Sequence, residues 1–212
     1  MPPLLSIIAG MVDVIGFLSL GLFTAHVTGN LVVIAAQLVR GGPPRVAQIL
    51  AVPVFIVTVA AAWLIAKASD RRGPALLRPL LVAQFLLLAG VLILSVAGGA
   101  TAHRHGVMAG VTAMTAVSAM AFQFSLLRLA VTGAPSTAVM TGNLTNTVLA
   151  LLDLLSRTQP LTEASNERLT RTVKLLVGFL AGCVAGAAGV SFLGDWAWSL
   201  PVLLAAAAVA LP

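Results

Sequence analysis

The stretch Met11-Val12-Asp13-Val14-Ile15-Gly16-Phe17, running on to Thr28-Gly29-Asn30-Leu31, decides the fold because it has a partner later in the chain. The partner is Met120-Ala121-Phe122-Gln123-Phe124-Ser125-Leu126-Leu127-Arg128, running on to Thr141-Gly142-Asn143-Leu144. In each copy an apolar helix carries one polar residue, Asp13 or Gln123. A polar, weakly helical stretch follows, then Thr-Gly-Asn-Leu, then a short apolar helix. The triplets lie 113 residues apart, and Asp13 and Gln123 lie 110 apart, so the match needs an insertion near Gly133-Ala134-Pro135. The next apolar stretch extends it: Phe55, Thr58 and Ala62 have the spacing of Phe179, Gly182 and Gly186. Recurrence within matching hydropathy predicts an internal repeat.

Composition says what kind of chain is repeated. Of 212 residues, 59% are hydrophobic and 8% charged, where a soluble domain carries about 25% charged residues. Such a chain cannot cover itself with polar groups, and a bilayer is the solvent that suits it. The expected fold is an all-α integral membrane protein, one domain over residues 1–212. Six spans are predicted: 4–23, 46–66, 79–97, 106–131, 173–193 and 196–211. The apolar pieces 31–39 and 144–155 are too short to be confident crossings. The first apolar stretch has no basic leader and carries Asp13, so it reads as a membrane segment rather than a cleaved signal.

The net charge of +6 does not point to nucleic acid, because no basic run is interleaved with aromatics. The charges sit in short breaks and read as topology signals. If the two short pieces do not cross, one face holds Lys67, Arg71, Arg72, Arg78, Arg157, Arg168, Arg171 and Lys174. The other holds Arg40, Arg45 and Arg104, with Arg128 inside a span. If both pieces cross, the split is more even. The positive-inside rule therefore favours six crossings with both termini cytoplasmic. Three crossings per half make the second half enter from the opposite face. The prediction is an inverted pair, repeat A over 1–99 and repeat B over 105–212, a layout found in many transporters.

The triplets are the expected site. Gly29 and Gly142 permit backbone that breaks a helix, and Thr28, Asn30, Thr141 and Asn143 are residue types that cap the helix that follows. Each triplet is read as a broken helix with a half-helix starting just after it, presenting free N–H groups to a ligand. The competing reading is a pair of packing kinks with satisfied caps. Asp13 and Arg128 lie inside spans, where a charge costs roughly 2.5–3.5 kcal/mol. They are expected to pair directly or through water, unless Arg128 snorkels to an interface. His26 is either a proton-responsive group or a hydrogen-bonded structural histidine. The candidate solute-binding set is thus Asp13, Thr28, Gly29, Asn30, Gln123, Arg128, Thr141, Gly142 and Asn143, with Asp13 and His26 as proton-coupling candidates.

Other features are read more plainly. Gly178, Gly182 and Gly186 line one helix face for close packing. Cys183, the one cysteine, is a packed thiol. Trp196 and Trp198 are interfacial anchors. Gln37, Gln84 and Asn146 are pocket linings or interhelical bonds. Asp153 is expected to reach water, His103-Arg104-His105 to be an exposed loop, and 156–172 to be a long polar loop. No cofactor or metal site is expected. No His-Glu-x-x-His or Gly-x-Ser-x-Gly motif occurs, and Asp13 and Asp153 lack the Gly-x-Gly-Asp setting of an intramembrane aspartyl protease. The leading expectation is a small-solute or ion transporter or channel in the lipid bilayer. A structural or partner-binding membrane subunit is second, and an enzyme a distant third.

Gly10-Met11-Val12-Asp13, Phe17, Gly21, Phe23 and Thr28-Gly29-Asn30 resemble the signature of the YoaK family, also described as a domain of unknown function, DUF1275. Thr141-Gly142-Asn143 resembles that family's second block. The resemblance covers nearly the whole chain and implies a bacterial inner-membrane protein of about six helices. It implies no substrate. The short last span before Pro212 departs from the pattern and leaves a trimmed C-terminus as one reading.

Overall fold

The computed structural model describes residues 1–42, 45–69, 73–99, 106–131, 137, 140–156 and 163–211. Among them there are helices and no strands: α1 (Pro2–Leu20), α2 (Val27–Val39), α3 (Val46–Ala68), α4 (Leu77–Gly98), α5 (Val107–Leu129), α6 (Met140–Ser156), α7 (Glu163–Leu193) and α8 (Ser199–Ala210). A 3-10 turn, Gly73–Leu76, leads into α4, and another, Gly194–Trp198, leads into α8. Each of these turns opens at a glycine of positive φ, 57° at Gly73 and 56° at Gly194. The element order of the first half therefore recurs in the second: long helix, short helix, long helix, 3-10 turn, helix.

Five stretches are long and apolar enough to cross a membrane: Pro2–Leu20, Val46–Ala68, Gly73–Gly98, Val107–Leu129 and Leu169–Ala210. The last has 42 residues, about 63 Å if it were one rod and roughly twice a hydrocarbon core. It is not one rod. Gly189 faces Leu200 and Ala197, which an unbroken helix would hold about 16 Å and about 12 Å away along its axis. The chain bends at Gly194, where left-handed backbone suits a residue without Cβ. Ile56, Val57 and Leu64 on α3, Leu86 and Ile93 on α4, and Val177, Leu180 and Val184 on α7 are all exposed. That is the inside-out surface a bilayer solvates.

Glycine decides the closest packing. Gly178 faces the carbonyl of Pro3, Gly182 that of Ile7, and Gly186 that of Met11. Both helices advance by four residues at each contact, so α1 and α7 run parallel. A Cβ at Gly182 would fall inside the van der Waals shell of the Ile7 carbonyl, and Gly10 of α1 makes the reciprocal approach to the Phe179 carbonyl. Ser6 Oγ donates to Leu175 O at 2.6 Å, closing the N-terminal end of the seam. The stripe is the packing face that its spacing indicated. α5 packs on α4 and α3 as α1 packs on α7, with Thr58 Oγ1 donating to Ser118 Oγ at 3.1 Å. Each half's first helix thus lies against the other half's third.

Four contacts fix which helix ends are neighbours. Gln48 Nε2, in the first turn of α3, donates to Gly21 O at the end of α1 (3.0 Å). Ser95 Oγ, near the end of α4, donates to Asp195 Oδ1 in the α7–α8 turn (3.2 Å). Gln84 Nε2, early in α4, donates to Gln123 Oε1, late in α5 (2.7 Å). Gln123 Nε2 donates in turn to Leu5 O, early in α1 (2.9 Å).

Three expectations are corrected here. The first span ends at Leu20, not Phe23, because Gly21 takes the left-handed conformation (φ 74°) and stops the helix. The polar segment 156–172 is not all loop: from Glu163 it is helical and extends α7 to 31 residues. The triplets are not the breaks. Thr28-Gly29-Asn30 and Thr141-Gly142-Asn143 lie in the first turns of α2 and α6, and the first break is the preceding segment, Gly21–His26. His103-Arg104-His105 and Gly133-Ala134-Pro135 lie outside the described residues.

Candidate functional site

Asp13 lies in the middle of α1, buried among apolar neighbours. Its carboxylate needs donors there, because an unpaired charge away from water is costly. The chain supplies them by folding the segment after Gly21 back along α1. The N–H groups of Thr24 and Ala25 each donate to Asp13 Oδ1 at 2.9 Å, and that of His26 at 3.4 Å. His26 Nδ1 meets Asp13 Oδ2 at 2.7 Å. Thr24 Oγ1 donates to Val12 O at 3.1 Å. Gly16 makes room, since a Cβ there would press on Thr24 Cγ2.

Asn30 holds the other side of the break. Its Oδ1 accepts from Phe23 N at 2.9 Å and its Nδ2 donates to Phe23 O at 2.8 Å. Asn30 therefore does not cap the helix ahead of it. It reaches back and pairs both backbone groups of one loop residue; the N-cap of α2 is His26, without a side-chain cap bond. The Phe23 ring stacks on Phe17 at 4.8 Å between centroids and covers bare Gly29. Irregular backbone at membrane depth requires this kind of internal pairing.

His26 is the outward member of its pair: its side chain is 30% exposed and that of Asp13 8%. Its ring meets Phe179 of α7 edge to face, with centroids 5.4 Å apart. An ionised carboxylate accepts only, so Nδ1 carries a hydrogen toward it and Nε2 is the second nitrogen. Among the described residues Nε2 has no hydrogen-bond partner.

The second half repeats the frame with different chemistry. Gln123, fully buried, is the residue that the sequence match pairs with Asp13. It reaches Thr137 Oγ1 at 3.5 Å, and Thr137 is the residue 113 positions after Thr24. Thr28 and Thr141 are exposed, Gly29 and Gly142 half-buried, Asn30 and Asn143 buried. The two triplets thus present the same faces.

The predicted set divides accordingly. Asp13, His26, Gly29 and Asn30 gather at the first break. Gln123 and Asn143 occupy corresponding places in the second half, while Thr28 and Thr141 face outward. Arg128 does not join Asp13: it is exposed in the last turn of α5, and the partner of Asp13 is His26. The snorkelling reading of Arg128 is the one its exposure fits. Gln84 is an interhelical bond, to Gln123. Asp153 and Asn146 are exposed on α6, and Trp198 is buried while Trp196 is exposed. Cys183 is half-buried on α7. Sequence reading missed the Asp13–His26 pair, which has no helical spacing. It also missed Thr24 and Thr137, although Thr24-Ala25 stands before the first triplet as Thr137-Ala138 stands before the second.

Fold and site together define a helical protein with helices long and apolar enough to cross a membrane several times, and a polar break pinned inside the bundle. The chain belongs to the family described as "Protein of unknown function (DUF1275)", whose model matches residues 3–211. No curated protein and no solved structure matches it.

Proposed function

We propose that this protein is a small-solute or ion transporter or channel of the bacterial inner membrane, with its site at the Gly21–His26 break and the corresponding region of the second half. The observation that carries the reading is the Asp13–His26 pair. A buried carboxylate holds unwound backbone inside the bundle and orients a half-exposed imidazole. Intramembrane ionisable groups and broken helices mark solute and ion paths. No enzymatic role is proposed.

The proposed topology has six crossings in two inverted halves. The end contacts support it. With α1 and α7 parallel, Gly21–Gln48, Ser95–Asp195 and Gln84–Gln123–Leu5 are all met when α1, α4 and α7 run one way and α3, α5 and α8 the other. α2 then starts inside the bundle and returns to the face where α1 ends. Lys67, Arg78, Arg171 and Lys174 fall on the face where α1 begins, and Arg40 and Arg45 on the other. The positive-inside rule makes the first face cytoplasmic, with both termini there.

One fact favours the second reading, a structural or partner-binding subunit: Asp13, Thr24 and Phe23 are fully engaged within the chain. The test is thermal stability of purified protein against a panel of anions, cations and metabolites over a pH series. A native-state ligand at a hundred times its Kd adds about 2.7 kcal/mol. A solute-specific upward shift that His26→Gln abolishes supports transport. A flat panel gives weight to the subunit.

A further inference from the structure

The two halves differ where their chemistry is concentrated. Asp13 becomes Gln123, and His26, at the 113-residue spacing, becomes Val139. The threonine, the alanine and the whole Thr-Gly-Asn-Leu run are unchanged between the copies. Both members of the ionisable pair have been replaced, and both by groups that do not titrate. An acid and its imidazole appear together in one half and are absent together from the other.

The bonding within the pair divides its roles. Asp13 is saturated: Oδ1 takes loop amides and Oδ2 takes His26 Nδ1. With Asp13 ionised, every bond it makes is one it accepts, and His26 Nδ1 is the donor to Oδ2. His26 Nε2 can gain or lose a proton without disturbing any hydrogen bond made by the described residues. With Nε2 bare the pair carries one negative charge; with Nε2 protonated it carries none.

The surroundings offer few competitors. α2 and α8 contain no ionisable side chain. α5 contributes Arg128 alone, exposed at its far end. Arg45, just before α3, lies against Gly21 at the opposite end of the break, and the one charged residue of α3 is Lys67 in its last turn. α7 brings Cys183 within electrostatic reach of Asp13, and its charged residues precede Leu175. Asp195, in the turn before α8, is bonded by Ser95.

We propose that His26 Nε2 is the single proton-carrying atom of this membrane core among the described residues, with Asp13 as its fixed counter-charge and the non-titrating Gln123 and Val139 at the matching sequence positions of the second half. This rests on reading the break as a functional site, and it names the coupling ion and the stoichiometry. The reaction is a proton transfer alone: the Nε2 lone pair takes a proton from water and later returns it. Asp13 is a positioning residue, setting the tautomer.

The experiment is nitrogen NMR of 15N-histidine-labelled protein in lipid nanodiscs, with His103→Asn and His105→Asn so that one ring remains. Across a pH series Nε2 should pass from bare to protonated while Nδ1 stays protonated throughout. In parallel, an unbuffered acid titration of the same protein should take up one proton more per chain than the His26→Gln variant. Glutamine can still donate to Asp13, so the variant keeps the loop seated. A ring whose proton sits on Nε2 with Nδ1 bare overturns the assignment. So does an Nε2 that never changes, or a count of two protons lost with His26. Asp13→Asn, if folded, should lose the Nδ1 preference, an effect that loose packing alone does not produce. A titrating ring with a flat solute panel sinks the transport reading and supports the proton site; a solute shift with a silent ring does the reverse.

Discussion

Asn30 commits both ends of its amide to Phe23, so its loss is felt on the backbone. Asn30→Ala leaves the part-buried N–H and carbonyl of Phe23 unpaired, at about 1–3 kcal/mol each. The expected result is a fall of roughly 2–5 kcal/mol in unfolding free energy in bicelles. Thr28→Ala, two residues away and exposed, should stay within about 0.5 kcal/mol. Equal losses at both positions would mean that the triplet acts as a unit and that Asn30 has no special role. These roles were only half legible in the sequence. Thr-Gly-Asn announced a helix start, and a helix start is there. Periodicity could not say that the asparagine reaches backward, because its partner lies in a segment with no period at all. Asp13 announced itself as a buried charge, but its partner was sought on the matching helix. A loop residue folded back along the same helix supplies it instead.

At the scale of elements, the seam between α1 and α7 is the most demanding contact. Gly182→Val places branched carbon against the Ile7 carbonyl and forces two backbones apart. The expected outcome is loss of the folded protein, seen as aggregation in size-exclusion chromatography and a collapsed melting transition. Gly110→Ala is the control, since nothing lies within 4 Å of the added carbon. It should be neutral or stabilise by up to about 1 kcal/mol. If Gly182→Val melts like the native protein, the helices are not in backbone contact. The glycine spacing carried this seam openly, since a four-residue repeat of bare backbone has few other uses in a lipid solvent. Its partner was hidden. Nothing local in Gly178-x-x-x-Gly182 says which of seven other helices lies against it.

For the molecule as a whole, the number of crossings is the quantity to test. With Cys183→Ala as background, single cysteines at Gly41, Ser69 and Gly194 can be probed with a membrane-impermeant thiol reagent on intact and inverted vesicles. Six crossings put 41 and 194 on one face and 69 on the other. Eight crossings leave 41 and 69 on opposite faces, since α3 crosses between them, but put 69 beside 194 and 41 opposite it, so the comparison of 41 with 194 separates the two topologies. Membrane class was readable because hydropathy is a property of the local sequence. The helical extension of α7 was not, because Glu163 to Thr172 is polar and carries none of the hydropathy that marks the span it continues into. The recurrence of the triplets was legible in the sequence, and the element order recurs with them as far as the glycine-opened turns at Gly73 and Gly194.

The exchange of partners between halves sets a timetable for synthesis. Ser6 bonds to Leu175, 169 residues later, and the wall beside the His26 ring is Phe179 of the same late helix. A ribosome adding about 5–20 residues per second needs on the order of ten to thirty seconds to deliver that partner. For that interval α1 lies in the bilayer with the backbone that the α7 glycines will meet uncovered. Its charged residue is held by its own loop, which is complete once Asn30 has emerged. The Asp13 clasp thus acts first as a self-contained holder, sparing a nascent helix an unpaired carboxylate until the second half arrives.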